Sequence, residues 1–458
     1  PSIWYDEAAT VSSSLRSWPQ LLAEIGTVDL VHAAYYAGMH LWFDLVGYTP
    51  VTLRLPSAVA IGAAAALVVV LGRLLSRPRL GVIAGLVFCL LPRTMWAGTE
   101  GRSYALTALL AIAVTVVLVV ALRDGRRRWW VGYAALAALS CVVFIYLALV
   151  LVAHAVSVLW AARSRHARLP VRRWMLAAGA AAAAAAPFVL VTATQRGQVE
   201  WLPALGVRTL ERVFVAQWFY SSEVFAIAGW IGIVAGAVLL VRRRRDGMSL
   251  ARLVIPAAIL PTVLILLVTA LAVPLYTPRY LTMCLPFVAL LIGAAIDALP
   301  SRPLAVVALA ALVALAVPQA VEQRSPQAKE HTAWNAVAAL ISEQRGAAPD
   351  TSTAIIYDRV ARHPRATARV IAYSYPDAFA GTTDLTLETS AAESGRLWET
   401  TTPLDENLAR LGDADTVYLL TSVYDDATAS TAATLAPLGW RIAERWTVSE
   451  VEVVQFVR

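Results

Sequence analysis

Charge is scarce in this chain: only 15% of its 458 residues are Asp, Glu, Lys or Arg, and mean hydropathy is +0.64. A soluble globular chain carries roughly one quarter charged residues. A deficit spread over long apolar runs excludes an ordinary soluble domain and predicts a membrane protein. Lysine is almost missing, with one Lys against 37 Arg. That bias, with abundant Ala, suggests a GC-rich bacterial genome. Cysteine is nearly missing too. Cys89, Cys141 and Cys284 all fall inside apolar runs and read as small core residues, so we expect no disulfide and no thiol chemistry. There is no internal repeat, and no low-complexity segment beyond the Ala run at 177–186.

The charge present is unevenly placed. Residues 1–320 carry 26 Arg and 12 acidic residues, whereas residues 321–458 carry 12 basic and 19 acidic ones. A sequence pI near 9.5 can signal nucleic-acid binding. Here the positive charge sits in short connections between apolar runs, a topology signal instead, and no nucleic-acid partner is expected. Ten runs are long enough to span or nearly so: 53–72, 80–97, 104–122, 130–147, 148–162, 174–194, 224–241, 253–273, 281–296 and 303–320. With residues 1–52 outside, the connections 73–79, 123–128, 163–173, 242–252 and 297–302 fall inside and hold 18 Arg. The outer connections hold eight: Arg16, Arg54, Arg93, Arg102, Arg196, Arg208, Arg212 and Arg279. Most acidic residues of the first 320 lie on that outer side. The expected site is a bacterial cytoplasmic membrane, with one further span ahead of Pro1.

The predicted organisation is an α-helical polytopic module, 1–320, followed by a small extracytoplasmic α/β domain, 325–458. Residues 1–52 form an outer loop containing an interfacial helix at 34–47, and 205–222 suit a second interfacial helix or an ordered outer loop. Beyond Pro318, Trp334, Val337, Leu340 and Ile341 recur at helical spacing within 331–345. Strands are expected at 353–358, 368–375, 416–424 and 451–457, and a helix at 427–439 closed by Gly439.

Four constellations could carry chemistry, all on the predicted outer side. Asp6 and Glu7 are adjacent carboxylates beside Trp4 and Tyr5. A carboxylate there could take a proton from an attacking hydroxyl; alternatively Asp6 caps a helix at 8–16, with Glu7 in its first turn. Asp29 and His32, three apart, could orient a hydroxyl or share a metal. Two ligands are too few to claim a metal, and none is assigned. Glu100, Arg102 and Tyr104 stand at an outer helix start, and Arg279 and Tyr280 at an outer helix end. Each arginine could clamp a phosphate or anchor its helix among headgroups. An outer face combining carboxylates with arginines suits an anionic lipid headgroup brought to a base.

The order YDEAAT (5–10), Asp29-x-x-His32 ahead of a Tyr-Tyr stretch ending His-Leu-Trp, RLPS (54–57), EGRSYAL (100–106) and PRYL (278–281) resembles the C-type (GT-C) membrane glycosyltransferases. Protein O-mannosyltransferases and lipid A aminoarabinose transferases look nearest. The resemblance covers about 1–300. It implies inverting transfer of a sugar, mannose or a pentose such as arabinose, from a polyprenyl-monophosphate donor to a glycan, glycolipid or protein acceptor outside the membrane. It implies that Asp6 is the catalytic residue. Glu7, Asp29, His32 and Glu100 then shape the acceptor or support Asp6, while Arg102, Tyr104, Arg196, Arg279 and Tyr280 hold the donor phosphate. No cofactor is expected, since arginine pairing can neutralise the leaving phosphate without a metal. Many relatives carry His-Pro-Pro-Leu-Tyr-Tyr where this chain has His-Ala-Ala-Tyr-Tyr at 32–36. The competing class is a transporter or lipid flippase, which needs ionisable groups near the bilayer midplane. Here His154 is the one such group well inside a run. A cell-envelope scaffold is a third reading, with the C-terminal domain as its binding module.

Overall fold

The computed structural model describes residues 1–163, 169–195, 197, 201–243 and 247–458. The chain divides into two compact units that are not consecutive in sequence: Pro1–Asp29, Tyr36–Leu53 and Glu322–Arg458 form one, and Leu30–Tyr35 with Arg54–Val321 form the other. The chain begins with α1 (Tyr5–Ser14), α2 (Trp18–Thr27) and α3 (Ala33–Val46). It continues through α4 (Pro50–Leu75), α5 (Pro78–Leu90), α6 (Pro92–Gly98), α7 (Tyr104–Asp124), α8 (Arg127–Val143), α9 (Ala148–Ala162) and α10 (Val171–Thr194). Then come α11 (Glu223–Arg242), α12 (Leu250–Leu271), α13 (Leu285–Asp297), α14 (Arg302–Glu322) and α15 (Trp334–Ala347).

Among the described residues, eight helices are long and apolar enough to cross a membrane: α4, α7, α9 with its leading turn, α10, α11, α12, α13 with the 3-10 stretch Pro278–Cys284, and α14. This is a multi-pass membrane protein. Two of the ten expected runs behave differently. The 80–97 run is broken into α5 and α6 with a 68° bend. Pro92 causes it: Pro lacks an N–H and pushes the preceding residue out of the helical region, and Leu91 is extended, with ψ 124. The 130–147 run stops early. Phe144 is extended, with φ −158, so α8 has 17 residues and a new helical turn begins at Ile145. At about 1.5 Å per residue, α8 lies at the short limit for crossing a bilayer core of about 30 Å.

The Arg-rich connections gather at one end of this helical unit. Arg77 donates to the Asp297 carboxylate and carbonyl at 2.7 and 2.9 Å. Arg173 donates to the Gly125 carbonyl at 2.5 Å, and Arg123 to the Leu74 carbonyl. Leu75 and Ser76 share a small cavity with Arg243 and Ser249. Thus described residues from all five connections that the charge pattern groups together meet in space.

Helix α13 is the centre of the bundle: nearly every residue from Leu285 to Asp297 is buried. It packs chiefly on α5 and α11, through small residues. A Cβ on Gly236 would lie 1.9 Å from the Leu291 carbonyl oxygen, and one on Gly293 would lie 2.8 Å from the Ala84 Cα. With lipid outside as apolar as the side chains, close backbone approach supplies much of the association between helices.

The other unit carries a five-stranded sheet. Its strands are β1 (Thr353–Tyr357), β2 (Thr383–Asp384), β3 (Thr416–Ser422), β4 (Arg441–Val448) and β5 (Val451–Val457), arranged β2-β1-β3-β5-β4. β2, β1 and β3 run parallel; β5 pairs antiparallel with both β3 and β4. β1 and β3 are buried along their whole length, which suits their mostly apolar middles, Ala354–Ile356 and Val417–Leu420. Ile356, Val417, Leu419, Trp440 and Phe456 form the core on one face. The expected helix at 427–439 forms at Ala427–Leu435, extended by a 3-10 turn and closed by left-handed Gly439, φ 85. The expected strand at 368–375 is instead a helix, Arg369–Ser374. Its buried Val370, Ile371 and Ser374 follow helical spacing, and Arg369 is buried against Asp384.

Substituting Gly236→Ala should drive α11 off α13. Overpacking a close contact costs about 1–3 kcal/mol, so the melting temperature in detergent should fall. A variant as stable as the parent would show that this contact is loose.

Candidate active site

The end of the helical unit away from the Arg-rich connections is built, among the described residues, from 30–35, 92–103, 144–147, 195, 197, 201–220 and 272–280. It is held together by polar contacts between these segments. The backbone N–H of Leu30 donates to Gln195 Oε1 at 3.0 Å, and Tyr146 Oη donates to the Leu275 carbonyl at 3.2 Å. Tyr276 Oη donates to Gln217 Oε1 at 3.1 Å, and Gln217 donates on to Thr262 at 2.9 Å. Tyr104 opens α7, and its ring lies 6.3 Å from that of Tyr280, which also meets Phe144 and Tyr146.

Within this end, His32 and Arg102 meet. Arg102 Nη2 donates to His32 Nε2 at 2.9 Å, and the two residues are 6% (Arg102) and 8% (His32) exposed. Guanidinium has no acceptor, so Nε2 must be the bare nitrogen of a neutral ring whose proton is on Nδ1. Burial, then the charges of Arg102 and Arg279, hold the His32 pKa well below the usual imidazole value. Arg279 enters through the 3-10 stretch Pro278–Cys284, with its guanidinium 5.4 Å above the Trp201 ring. Glu100 is buried, and its carbonyl accepts from Ser57 Oγ at 2.6 Å. Arg196 lies outside the described residues. The helical unit therefore brings together His32, Arg102, Tyr104, Arg279 and Tyr280.

Asp6, Glu7 and Asp29 belong to the other unit. α1 starts at Tyr5, and Trp4 occupies its cap position. Asp6 is therefore not a helix cap; it stands in the first turn, where a negative charge meets the positive end of the helix dipole. Glu7 is fully buried. It accepts from Lys329 Nζ at 3.0 Å, and that side chain is 3% exposed. The chain's single lysine thus neutralises one of the adjacent carboxylates. Tyr5 is fixed from two sides: the His363 ring stacks on it at 3.8 Å, and Trp398 Nε1 donates to its hydroxyl at 2.8 Å. Asp29 adopts a left-handed φ of 58 and accepts from Tyr36 Oη at 2.8 Å. Among the described residues, no three His, Cys, Asp or Glu side chains are grouped as a metal would require.

Sequence reasoning missed several participants. Arg93 is buried between the rings of Trp96 and Tyr220, 4.9 Å from each, and donates from Nε to the Ala216 carbonyl at 3.1 Å. That carbonyl ends a five-residue π-helix, Arg212–Ala216, and Tyr220 beyond it has φ 60. Glu24 forms a buried pair with Arg16 at 2.9 Å, and burial raises its carboxyl to about 7 against the pull of Arg16. Lys329 did carry a sequence signal, being alone of its kind.

No family model matches this chain, and neither does any curated protein. Solved structures do. The apo form of ArnT from Cupriavidus metallidurans superposes with a TM-score of 0.62 at 13% identity, covering 99% of this chain and 94% of that one. The same protein bound to undecaprenyl phosphate gives a TM-score of 0.58 over the same shares, again at 13% identity. At that identity the likeness establishes a shared fold. The archaeal oligosaccharyltransferase AglB from Archaeoglobus fulgidus, in complex with an inhibitory peptide and dolichol phosphate, reaches 0.49 at 10% identity, over 98% of this chain and 73% of that one.

Leaving one partner of a buried ion pair alone costs about 3–5 kcal/mol, so Lys329→Ala should lower the melting temperature sharply. Glu7→Gln combined with Lys329→Met should recover most of it, as differential scanning can check. His32 should show itself through pH. It stays neutral when folded but takes a proton below about 6.5 when unfolded. Its contribution is therefore complete above pH 6.5 and lost as pH falls, by up to about 1.4 kcal/mol per unit. The stability of wild type should fall more steeply from pH 7.5 to 5.5 than that of His32→Gln; parallel slopes would contradict the neutral ring.

Proposed function

Starting from a chain that has the GT-C type of fold, shared with ArnT, we propose that it is an inverting glycosyltransferase using a polyprenyl-monophosphate sugar. The observation that carries this reading is the juxtaposition of Arg102 and Arg279 around a neutral His32, at the end of the bundle away from the Arg-rich connections. In the similar ArnT structure the bound lipid is undecaprenyl phosphate, and a lipid phosphate is the ligand that two such arginines suit.

The chemistry is a single displacement. The donor phosphodiester carries one negative charge. As the acceptor oxygen attacks the anomeric carbon from the opposite face, the bond from that carbon to the phosphate oxygen breaks. The departing polyprenyl phosphate gains a second charge. Arginine donors therefore bind the developing phosphate more strongly than the ground state, which is what accelerates a reaction. Asp6 receives the proton of the acceptor hydroxyl. Glu7, neutralised by Lys329, is the less effective base, which is why Asp6 is assigned that role. The Arg-rich connections fit the cytoplasmic side of a bacterial cytoplasmic membrane, and the Arg102 end of the helical unit its outer side. The sugar is a hexose such as mannose or a pentose such as arabinose, and the acceptor a component of the cell envelope.

Purified protein incubated with a panel of polyprenyl-phosphate sugars and envelope glycan acceptors should release polyprenyl phosphate. Asp6→Asn should keep the fold and donor binding but lose on the order of 100-fold or more in rate, the upper part of what a general base contributes. Near-normal turnover in that variant would remove Asp6 from the chemistry. Arg279→Ala should weaken donor binding roughly 10- to 100-fold, the worth of one charge-assisted phosphate contact, and Arg279→Lys should restore only part of it. Unchanged affinity in both would make Arg279 a headgroup anchor.

A further inference from the structure

The sequence pattern Asp29-x-x-His32 associates His32 with a carboxylate and an acceptor. The structure gives its Nε2 to Arg102. We propose that His32 is a positioning residue for the donor phosphate: a permanently neutral acceptor that fixes the plane of the Arg102 guanidinium without cancelling its charge. This rests on the reading of Arg102 as a phosphate ligand.

Buried arginines can be held by more than one kind of acceptor. A carboxylate is the usual partner, and this protein uses it elsewhere: Asp384 for Arg369 and Glu24 for Arg16. A carboxylate cancels the charge of the arginine it holds and so weakens its field for another anion. An imidazole nitrogen accepts one of the five guanidinium N–H bonds and contributes no charge. His32 therefore sets the orientation of Arg102 in advance and takes nothing from its attraction for an anion. Preorganised donors of this kind cost little reorganisation when charge develops on a leaving group.

The ring must remain neutral for this to hold. A protonated His32 could not accept from Arg102, and it would add a third positive charge to Arg102 and Arg279. Burial and these two charges both oppose protonation. The backbone also holds the ring in place. His32 ends a one-turn 3-10 helix, Leu30–His32, whose first N–H is tied to Gln195.

The test uses the full-length protein in detergent, with undecaprenyl phosphate as the probe, and measures its dissociation constant. His32→Ala should weaken binding about tenfold, the scale of one oriented hydrogen bond to a charged group. His32→Gln, whose Oε1 can stand where Nε2 stood, should recover most of that loss. His32→Glu should bind at least as weakly as His32→Ala, because its carboxylate cancels the Arg102 charge. KM for the donor should follow the same order. Full binding by His32→Glu, alongside a clear loss in Arg102→Ala, would overturn the His32 assignment and leave the phosphate role of Arg102 standing. If neither wild type nor Arg102→Ala binds the lipid measurably, the donor reading fails and the phosphate role of His32 fails with it. A ligand-free readout tests the geometry itself: in protein labelled with 15N-histidine, wild type at pH 6 should show one ring with a bare nitrogen that disappears in His32→Gln. A fully protonated His32 ring under those conditions would refute the proposal.

Discussion

The cost of placing charge in hydrocarbon is the constraint from which the rest of this structure follows. It confines the described arginines of the helical unit to the two ends of the bundle, and the two populations are handled differently. At one end they are tied down by backbone carbonyls and by Asp297: Arg173 to Gly125, Arg123 to Leu74, Arg77 and Arg79 to Asp297. At the other, Arg102 is held by a neutral imidazole, and Arg93 and Arg279 lie over aromatic rings. The first arrangement commits positive charge to structure. In the second, the imidazole and the rings hold the arginines without adding negative charge of their own.

The same constraint orders the middle of the bundle. His154, the ionisable residue well inside a span, is fully buried and satisfied on both nitrogens. Thr115 gives its proton to Ala111, so its oxygen accepts from Nε2–H at 2.9 Å, while Tyr133 Oη lies 3.2 Å from Nδ1. These bonds link α7, α8 and α9 and leave no ring nitrogen for a transported proton. His154 is a clamp between helices, which removes the strongest sequence argument for a transporter. What remains between spans is close packing through glycine, as at Gly236 and Gly293.

Much of this was legible in the sequence because hydropathy and arginine placement report the membrane directly. Most of the spans, the helix at 427–435 and the strands at 353–357, 416–422 and 451–457 form where expected. The misreadings have physical causes. Nothing in VVFIYLAL separates α8 from α9, because the break is an extended Phe144 rather than a proline or a charge. The segment around Arg369–Ser374 is rich in Val, Ile and Tyr and so reads as a strand. In the structure Val370, Ile371 and Ser374 are buried at helical spacing instead, with Arg369 buried against Asp384 and Glu399 further along the chain. The edge strand β4 escaped notice because Arg441, Glu444 and Arg445 interrupt its alternation, although charges suit an unpaired edge. At the candidate site, sequence supplied the residues but not their partners. Only the fold joins Arg102 to His32, 70 positions away, or Glu7 to Lys329, 322 positions away.

If the lipid phosphate binds at the His32–Arg102–Arg279 end of the bundle, an experimental structure with undecaprenyl phosphate bound is the most direct measurement of it. Phosphate density should then lie within hydrogen-bonding distance of the Arg102 and Arg279 guanidiniums, with His32 still accepting from Arg102. Density instead among the arginines of the 73–79 and 123–128 connections, with the Arg102 end empty, would contradict that placement.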